Sequence, residues 1–113
     1  MKPNFTDKRG TITDLLVTDD YSITHITFTK DAVRGNHRHA MTKQVDFILK
    51  GRLNCAQDDT KNIVKKGDVI VHPANVNHAY KALQDSSMVS ICFGVRKGTD
   101  YEKDVIRLKI PLL

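Results

Sequence analysis

The chain has 113 residues, 40% of them hydrophobic and 27% charged, with a formal net charge of +5. That balance fits one soluble domain with a single core rather than a disordered chain. The 18 basic residues are scattered rather than interleaved with aromatics, so no nucleic-acid partner is expected; the excess charge serves solubility or a local field for a small anion. Positions 1–10 carry no apolar segment, and the longest apolar stretch, Met88 to Val95, is short and broken by Ser90. Neither a signal peptide nor a membrane span is expected, and the cytoplasm is the expected location.

Taken in chain order, the pattern is one of short strands and turns. The Asn4-Phe5-Thr6 sequon would matter only in a secreted protein and is read as chance. A first strand is expected over Thr11 to Thr18. After the Asp19-Asp20 turn, Ile23, His25 and Thr27 alternate with Thr24, Ile26 and Phe28, a period of two rich in β-branched residues that places His25 on one face of a strand. Lys30-Asp31 ends it. Further strands are expected over Gln44 to Lys50, Arg52 to Gln57, Ile63 to Lys65, Val69 to His72, Ala79 to Leu83 and Met88 to Val95. They are separated by Gly51, Asp58-Asp59, Gly67-Asp68, Pro73 to Asn77 and Gln84 to Ser87. His72, just before Pro73, is expected at a loop or rim. Val105 to Leu112 alternates again, with Ile106, Leu108, Ile110 and Leu112 opposite Arg107 and Lys109. The whole chain, 1–113, reads as one domain whose C-terminal tail, 99–113, covers a sheet edge or packs on a second subunit of a homodimer. No segment keeps a helical period, so the fold expected is all-β: an antiparallel sandwich or barrel with room inside for one ligand. Cys55 and Cys92 share no metal or redox spacing and are expected as reduced core thiols.

The chemistry gathers at Arg34-Gly35-Asn36-His37-Arg38-His39. Residues two apart on a strand point to one face, so His37 and His39 converge. Gln44 follows, and His78 arrives after the Gly67-Asp68 turn and Pro73. Asp46 shares the strand face of Gln44, and Tyr80 that of His78, where its hydroxyl either packs in the core or meets a substrate. Arg34, Arg38 and Arg52 put positive charge near the histidine pair.

In this order the residues from Arg34 to His78 resemble the two motifs of the cupin superfamily, whose fold is a small antiparallel jelly roll, the double-stranded β-helix barrel. The resemblance implies that His37, His39, Gln44 and His78 point into the barrel and bind a divalent metal such as Fe, Ni, Mn or Zn; no organic cofactor is expected. Many metal-binding cupins carry glutamate where this chain has Gln44. Three neutral imidazoles and an amide leave a divalent ion about one charge unit less compensated than with a carboxylate, so weaker metal binding is expected. Asp46 offers a remedy by holding a histidine Nδ1–H from behind, with a solvated place at the barrel mouth as the alternative.

A narrower resemblance joins Asp7 to Ile12, Val33-Arg34-Gly35-Asn36-His37-Arg38-His39, and Lys43-Gln44 with Gly51. These look like the nucleotide-sugar 3,4-ketoisomerases, small dimeric cupins in which the paired histidines move protons and glutamine normally stands at the position of Gln44. It implies His37 and His39 as acid and base; Arg34 suits a diphosphate or an enediolate, and Gln44 positions the substrate. His25, Asp46 and Tyr80 are candidate substrate contacts on their own placement, with a hydrogen-bonding side chain on the strand as the alternative for His25. A neutral imidazole titrating near ~6.5 suits proton transfer beside a carbonyl. The family's tyrosine before the motif is replaced here, where Thr24 and His25 lie. The leading reading is a sugar-nucleotide isomerase or epimerase acting on a small anionic substrate; the alternatives are a metal-dependent cupin such as a dioxygenase with His37, His39 and His78 on the ion, and a non-catalytic module that binds a small ligand.

Overall fold

The computed structural model describes residues 1–94 and 104–113. The elements are β1 (Phe5–Asp7), β2 (Gly10–Val17), β3 (Tyr21–Phe28), β4 (Val33–His39), β5 (Lys43–Lys50), β6 (Arg52–Gln57), β7 (Thr60–Lys65), β8 (Val69–His72), β9 (His78–Ala82), β10 (Ser86–Phe93) and β11 (Val105–Arg107). They form a six-stranded sheet, β1-β2-β3-β10-β5-β8, and a five-stranded sheet, β11-β4-β9-β6-β7. Every pairing is antiparallel. The all-β jelly-roll expectation holds. β6 and β8 have the bounds read from the sequence, β7 begins three residues earlier than expected, and β1 is an addition. The end of the expected strand at Val95 and positions 99–103 of the expected tail lie outside the described residues.

The inner faces change character along the strands, and register keeps the change in step. In the larger sheet Ile48 pairs with Met88, Asp46 with Ser90 and Gln44 with Cys92. In the smaller one Leu53 pairs with Ala82, Cys55 with Tyr80 and Gln57 with His78. One end of the barrel is therefore an apolar core of Phe28, Ile48, Leu53, Cys55, Val64, Ala82 and Met88, in which Leu53 is 0% exposed. Each such large side chain contributes roughly 1.5–3 kcal/mol by leaving water. The other end collects the polar inner residues. Cys55 and Cys92 are buried thiols, as expected, and burial pushes the Cys55 thiol up to about 11.

β4 departs from a plain strand in a way that decides the site. Gly35 pairs with Ala79 and His37 with His78, so Asn36 is an extra residue in β4. Gly35 (φ 89) and Asn36 (φ 57) both take the left-handed backbone that such a bulge requires. Without the bulge, Arg34 and His37, three apart, would face opposite sides. With it, Arg34, His37 and His39 line one cavity.

The bulge also ends the last strand early. β11 pairs with His37, Arg38 and His39 of β4 and stops at Arg107, so it is three residues long, not the eight that the alternation from Val105 to Leu112 suggests. Beyond it, Leu108 N donates to Asn36 O at 3.0 Å and Leu112 N to Asn36 Oδ1 at 2.8 Å. The irregular edge at Asn36 breaks the ladder, and Asn36 itself takes over as the partner.

Two turn glycines separate backbone strain from crowding. Gly51 and Gly67 have nearly equal φ, 89° and 93°. A Cβ on Gly51 would lie 2.6 Å from Asp85 O and 2.7 Å from Ser86 Cα, whereas one on Gly67 would meet nothing within 4 Å. Gly67→Ala is expected to cost about 1–2 kcal/mol of stability from φ alone, and Gly51→Ala at least ~2 kcal/mol more, in urea denaturation. Equal losses would refute the steric part.

Candidate functional site

Three strands deliver the site. β4 supplies His37 and His39, and His78 opens β9 directly opposite His37. The ring nitrogens of His37, His39 and His78 come within 4.8 Å of one another. Ring centroids stand 4.9 Å apart for His37 and His39, 4.7 Å for His37 and His78 and 5.6 Å for His39 and His78. Gln44, from β5, lines the same cavity.

Each of two ring orientations has a hydrogen bond behind it. His39 Nδ1 is 3.2 Å from Asp104 Oδ2, a pair with both side chains buried, which leaves His39 Nε2 for the cavity. Asp104 is itself held by Met41 N at 2.6 Å. Burial would push its carboxyl up, but the bonds from Thr42, Met41 and His39 outweigh it and keep the group below the usual carboxylate range. His78 Nδ1 stands 3.4 Å from Val76 O. Burial first, and then the neighbouring His72, His37 and His39, push His78 down to about 2, so its ring stays neutral with a lone pair available.

Beneath this cluster lies a second polar layer. Asp46 is 0% exposed. Its carboxylate accepts from Tyr80 Oη at 2.6 Å, from Gln44 Nε2 at 3.0 and 2.9 Å, and stands 3.1 Å from His72 Nε2. Burial pushes Asp46 up, yet the bonds from His72, Ser90 and Tyr80 leave it below the ordinary value. Burial, followed by the charge of Asp46, raises Tyr80 well above its own. His72 stacks on His78 with centroids 4.3 Å apart.

Several expectations change here. His72 is not a rim residue: it is 1% exposed, because β8 runs into the barrel and Tyr80 and Asp46 take up its polar edge. Asp46 is not solvated at the barrel mouth, and the ring it holds is His72 through Nε2, not one of the converging three. His25 does not join the site. It sits opposite Val89 and Thr13 on the outward face of β3, where it borders a separate shallow cavity with Thr27, Lys50 and Asp85. Residues on β3 that do face the site are Thr24, Ile26 and Phe28, as the strand's alternation requires once the inner face is known. Sequence reasoning passed over Asp104, which is 65 residues from His39 in the chain, and placed His72 at a rim because Pro73 follows it.

The cavity has a volume of about 300 Å³. Its wall includes Arg9, Arg34 and Arg107 and not one acidic residue among those described. Arg34 is 9% exposed, packs its guanidinium 5.6 Å from the Phe28 ring centre and reaches Thr27 O at 3.4 Å. Its buried Nε has no hydrogen-bond partner among the described residues. Burial, with the nearby charge of Arg9, lowers the Arg34 pKa.

The neutral state of His78 has a consequence for stability. Its folded pKa of about 2 lies below the ordinary 6.5, so only the unfolded chain takes up this proton. The stabilisation is complete above pH 6.5 and is lost as pH falls toward 2, by up to about 1.4 kcal/mol per pH unit. Asp46 and Asp104, with lowered pKa values, act in the same direction but only below about pH 4. Urea denaturation in EDTA from pH 7 to 5 should show this slope, and His78→Gln should flatten it; an unchanged slope would contradict a buried neutral His78.

No curated protein sequence matches the chain. Among solved structures, KdgF from Halomonas sp. is similar with a TM-score of 0.78 and 20% identity, covering 85% of this chain and 90% of that one. An RmlC-like cupin from Shewanella frigidimarina has a TM-score of 0.71 and 19% identity, covering 80% of this chain and 78% of that one. CapF, the capsular polysaccharide assembling protein from Staphylococcus aureus, has a TM-score of 0.75 and 19% identity; the match covers 92% of this chain but 31% of CapF. Among the described residues no helix is long and apolar enough to cross a membrane. The sequence pattern of the cupin domain matches residues 24–94, over half of the chain; with two antiparallel sheets closed around a three-histidine cluster, the chain belongs to the cupin superfamily.

Proposed function

We propose that this cupin is a metal-dependent enzyme for a small organic anion, with His37, His39, His78 and the Gln44 carbonyl oxygen as ligands to one divalent ion of iron, nickel, manganese or zinc. The observation that carries the reading is the approach of three imidazole nitrogens to within 4.8 Å, with His39 oriented by Asp104 and His78 kept neutral. Donors each ~2.1 Å from one ion stand at most about 4.2 Å apart, so the donor set fits after an adjustment of about half an ångström. A bound divalent ion supplies Lewis acidity and a template for substrate oxygens.

The chain's own residues define the rest. Arg34 presents a buried guanidinium with one N–H unspent among the described residues, in a wall whose described residues include no acid, which favours a carboxylate or phosphate. Ile26, Phe28 and Met88 offer an apolar floor that excludes water from the bound anion. About 300 Å³ corresponds to roughly ten waters' share of liquid volume, room for an organic acid or one sugar unit inside the barrel rather than a whole nucleotide sugar.

The isomerase reading competes for the same lone pairs, since a histidine that ligates an ion cannot also take a proton at that nitrogen. It is supported by the Asp104 carboxylate behind His39, an arrangement that also suits a general base. The cluster of three rings, of which the proton-transfer scheme uses two, favours the metal.

After EDTA treatment and reconstitution with Fe(II), Ni(II), Mn(II) or Zn(II) in turn, elemental analysis is expected to find one ion per chain for at least one of them. His39→Ala should abolish it, and Asp104→Asn should weaken affinity about 10–100-fold. No stoichiometric metal, together with solvent deuterium entering a 4-keto-6-deoxy nucleotide sugar in EDTA, would overturn the metal reading in favour of the isomerase. For the anion, a thermal-shift panel of sugar acids and sugar phosphates on the reconstituted protein is expected to stabilise wild type but not Arg34→Met. Equal shifts in both would remove Arg34 as the anchor.

A further inference from the structure

Gln44 and Asp46 are two apart on β5 and share its inner face, both buried. Gln44 Nε2 lies 3.0 Å from Asp46 Oδ1 and 2.9 Å from Oδ2. A carboxylate can only accept, so the –NH2 end of the Gln44 amide must face Asp46 and the carbonyl end must face away. That end, Oε1, has Cys92 Sγ at 3.8 Å and belongs to a side chain that lines the cavity with His37, His39 and His78.

Asp46 is in turn held by two further groups. Tyr80 Oη donates to its Oδ2 at 2.6 Å, and His72 Nε2 stands 3.1 Å from the same oxygen and 2.7 Å from Tyr80 Oη. His72 has its own orientation set from outside the layer: Gln57 Nε2 donates to Val71 O at 2.7 Å and lies 3.0 Å from His72 Nδ1. An amide –NH2 is a donor, so His72 Nδ1 accepts and its proton sits on Nε2, directed at the Asp46 and Tyr80 oxygens. Of the two orientations of the Gln44 amide, only the one that turns –NH2 toward Asp46 gives that carboxylate a donor.

The same carboxylate answers the charge question. No acidic residue among those described lines the cavity. Two carboxylates stand one residue behind it, Asp46 behind Gln44 and Asp104 behind His39. A divalent ion held by three imidazoles and an amide would then sit between two formal negative charges, each one hydrogen bond away.

Resting on the metal reading above, we propose that Asp46 is a positioning residue. It aims the Gln44 carbonyl oxygen at the ion and supplies from behind the negative charge that a glutamate ligand would bring directly. Glutamine at position 44 is then required by Asp46, because a carboxylate in its place would lie about 3 Å from another and the two could not both stay ionised.

The test is a charge transposition read by metal affinity. With Co(II) or Zn(II) against a chelating competitor, Asp46→Asn is expected to weaken binding about 10–100-fold and to alter the visible spectrum of the Co(II) form. Gln44→Glu alone is also expected to weaken it, although glutamate is by itself the stronger ligand. The double variant Gln44→Glu/Asp46→Asn, which moves the charge onto the ligand and leaves an amide behind it, is expected to return to within a few fold of wild type. Losses that simply multiply in the double variant, or an Asp46→Asn protein with wild-type affinity and spectrum, overturn the proposal while leaving the metal site standing. Should Asp46→Asn fail to fold, Gln44→Glu decides it, since tighter binding there overturns the inference. A wild-type protein that binds neither ion overturns the metal reading and this proposal together.

Discussion

The constraint on which the rest of this barrel depends is the burial of the Asp46 carboxylate. An isolated ionised carboxylate out of water is prohibitively costly, so a fully buried one survives only where the surrounding elements converge donors on it. Here β5 itself, β8, β9 and β10 provide them through Gln44, His72, Tyr80 and Ser90. Satisfying one charge therefore fixes the register of four strands at their polar end. The apolar end, around Leu53 and Met88, tolerates rearrangement more readily because dispersion has no direction.

The second constraint is the Gly35-Asn36 bulge. It changes the phase of β4 in the middle of the motif, so the arginine and the histidines meet in one cavity though their spacing is odd. It also leaves the Asn36 backbone and side chain unpaired by the sheet, and the chain after β11 supplies both missing partners. Asp104, one residue before β11, reaches His39 from the same segment. The segment that covers the sheet edge is thus the one that orients a site histidine, and stability of the edge and geometry of the site are coupled.

Fold similarity to KdgF, CapF and an RmlC-like cupin comes at about one-fifth identity, a level at which architecture persists while chemistry diverges. In this chain the charge arrangement places arginines in the wall and two acids one step behind neutral donors.

Strand existence was legible in the sequence because alternation and turn residues are local; so was the convergence of His37 and His39, from their spacing on one strand, and that of His78, from the resemblance to the cupin motifs. Arg34 was legible as a neighbour of the pair, though its place in the same cavity depends on a bulge that Gly35-Asn36 signals only weakly. The side assigned to His25, the burial of His72 and the role of Asp104 were not legible. Alternation tells that a strand has two faces but not which faces the core, and a residue before a proline reads as exposed until a neighbouring strand closes over it. A carboxylate 65 positions from its histidine leaves no local trace. The sequence by itself determined the strands, the donors and the total charge. Only the tertiary structure decided which donors face each other, because that depends on register between strands and on the satisfaction of a charge buried far from solvent.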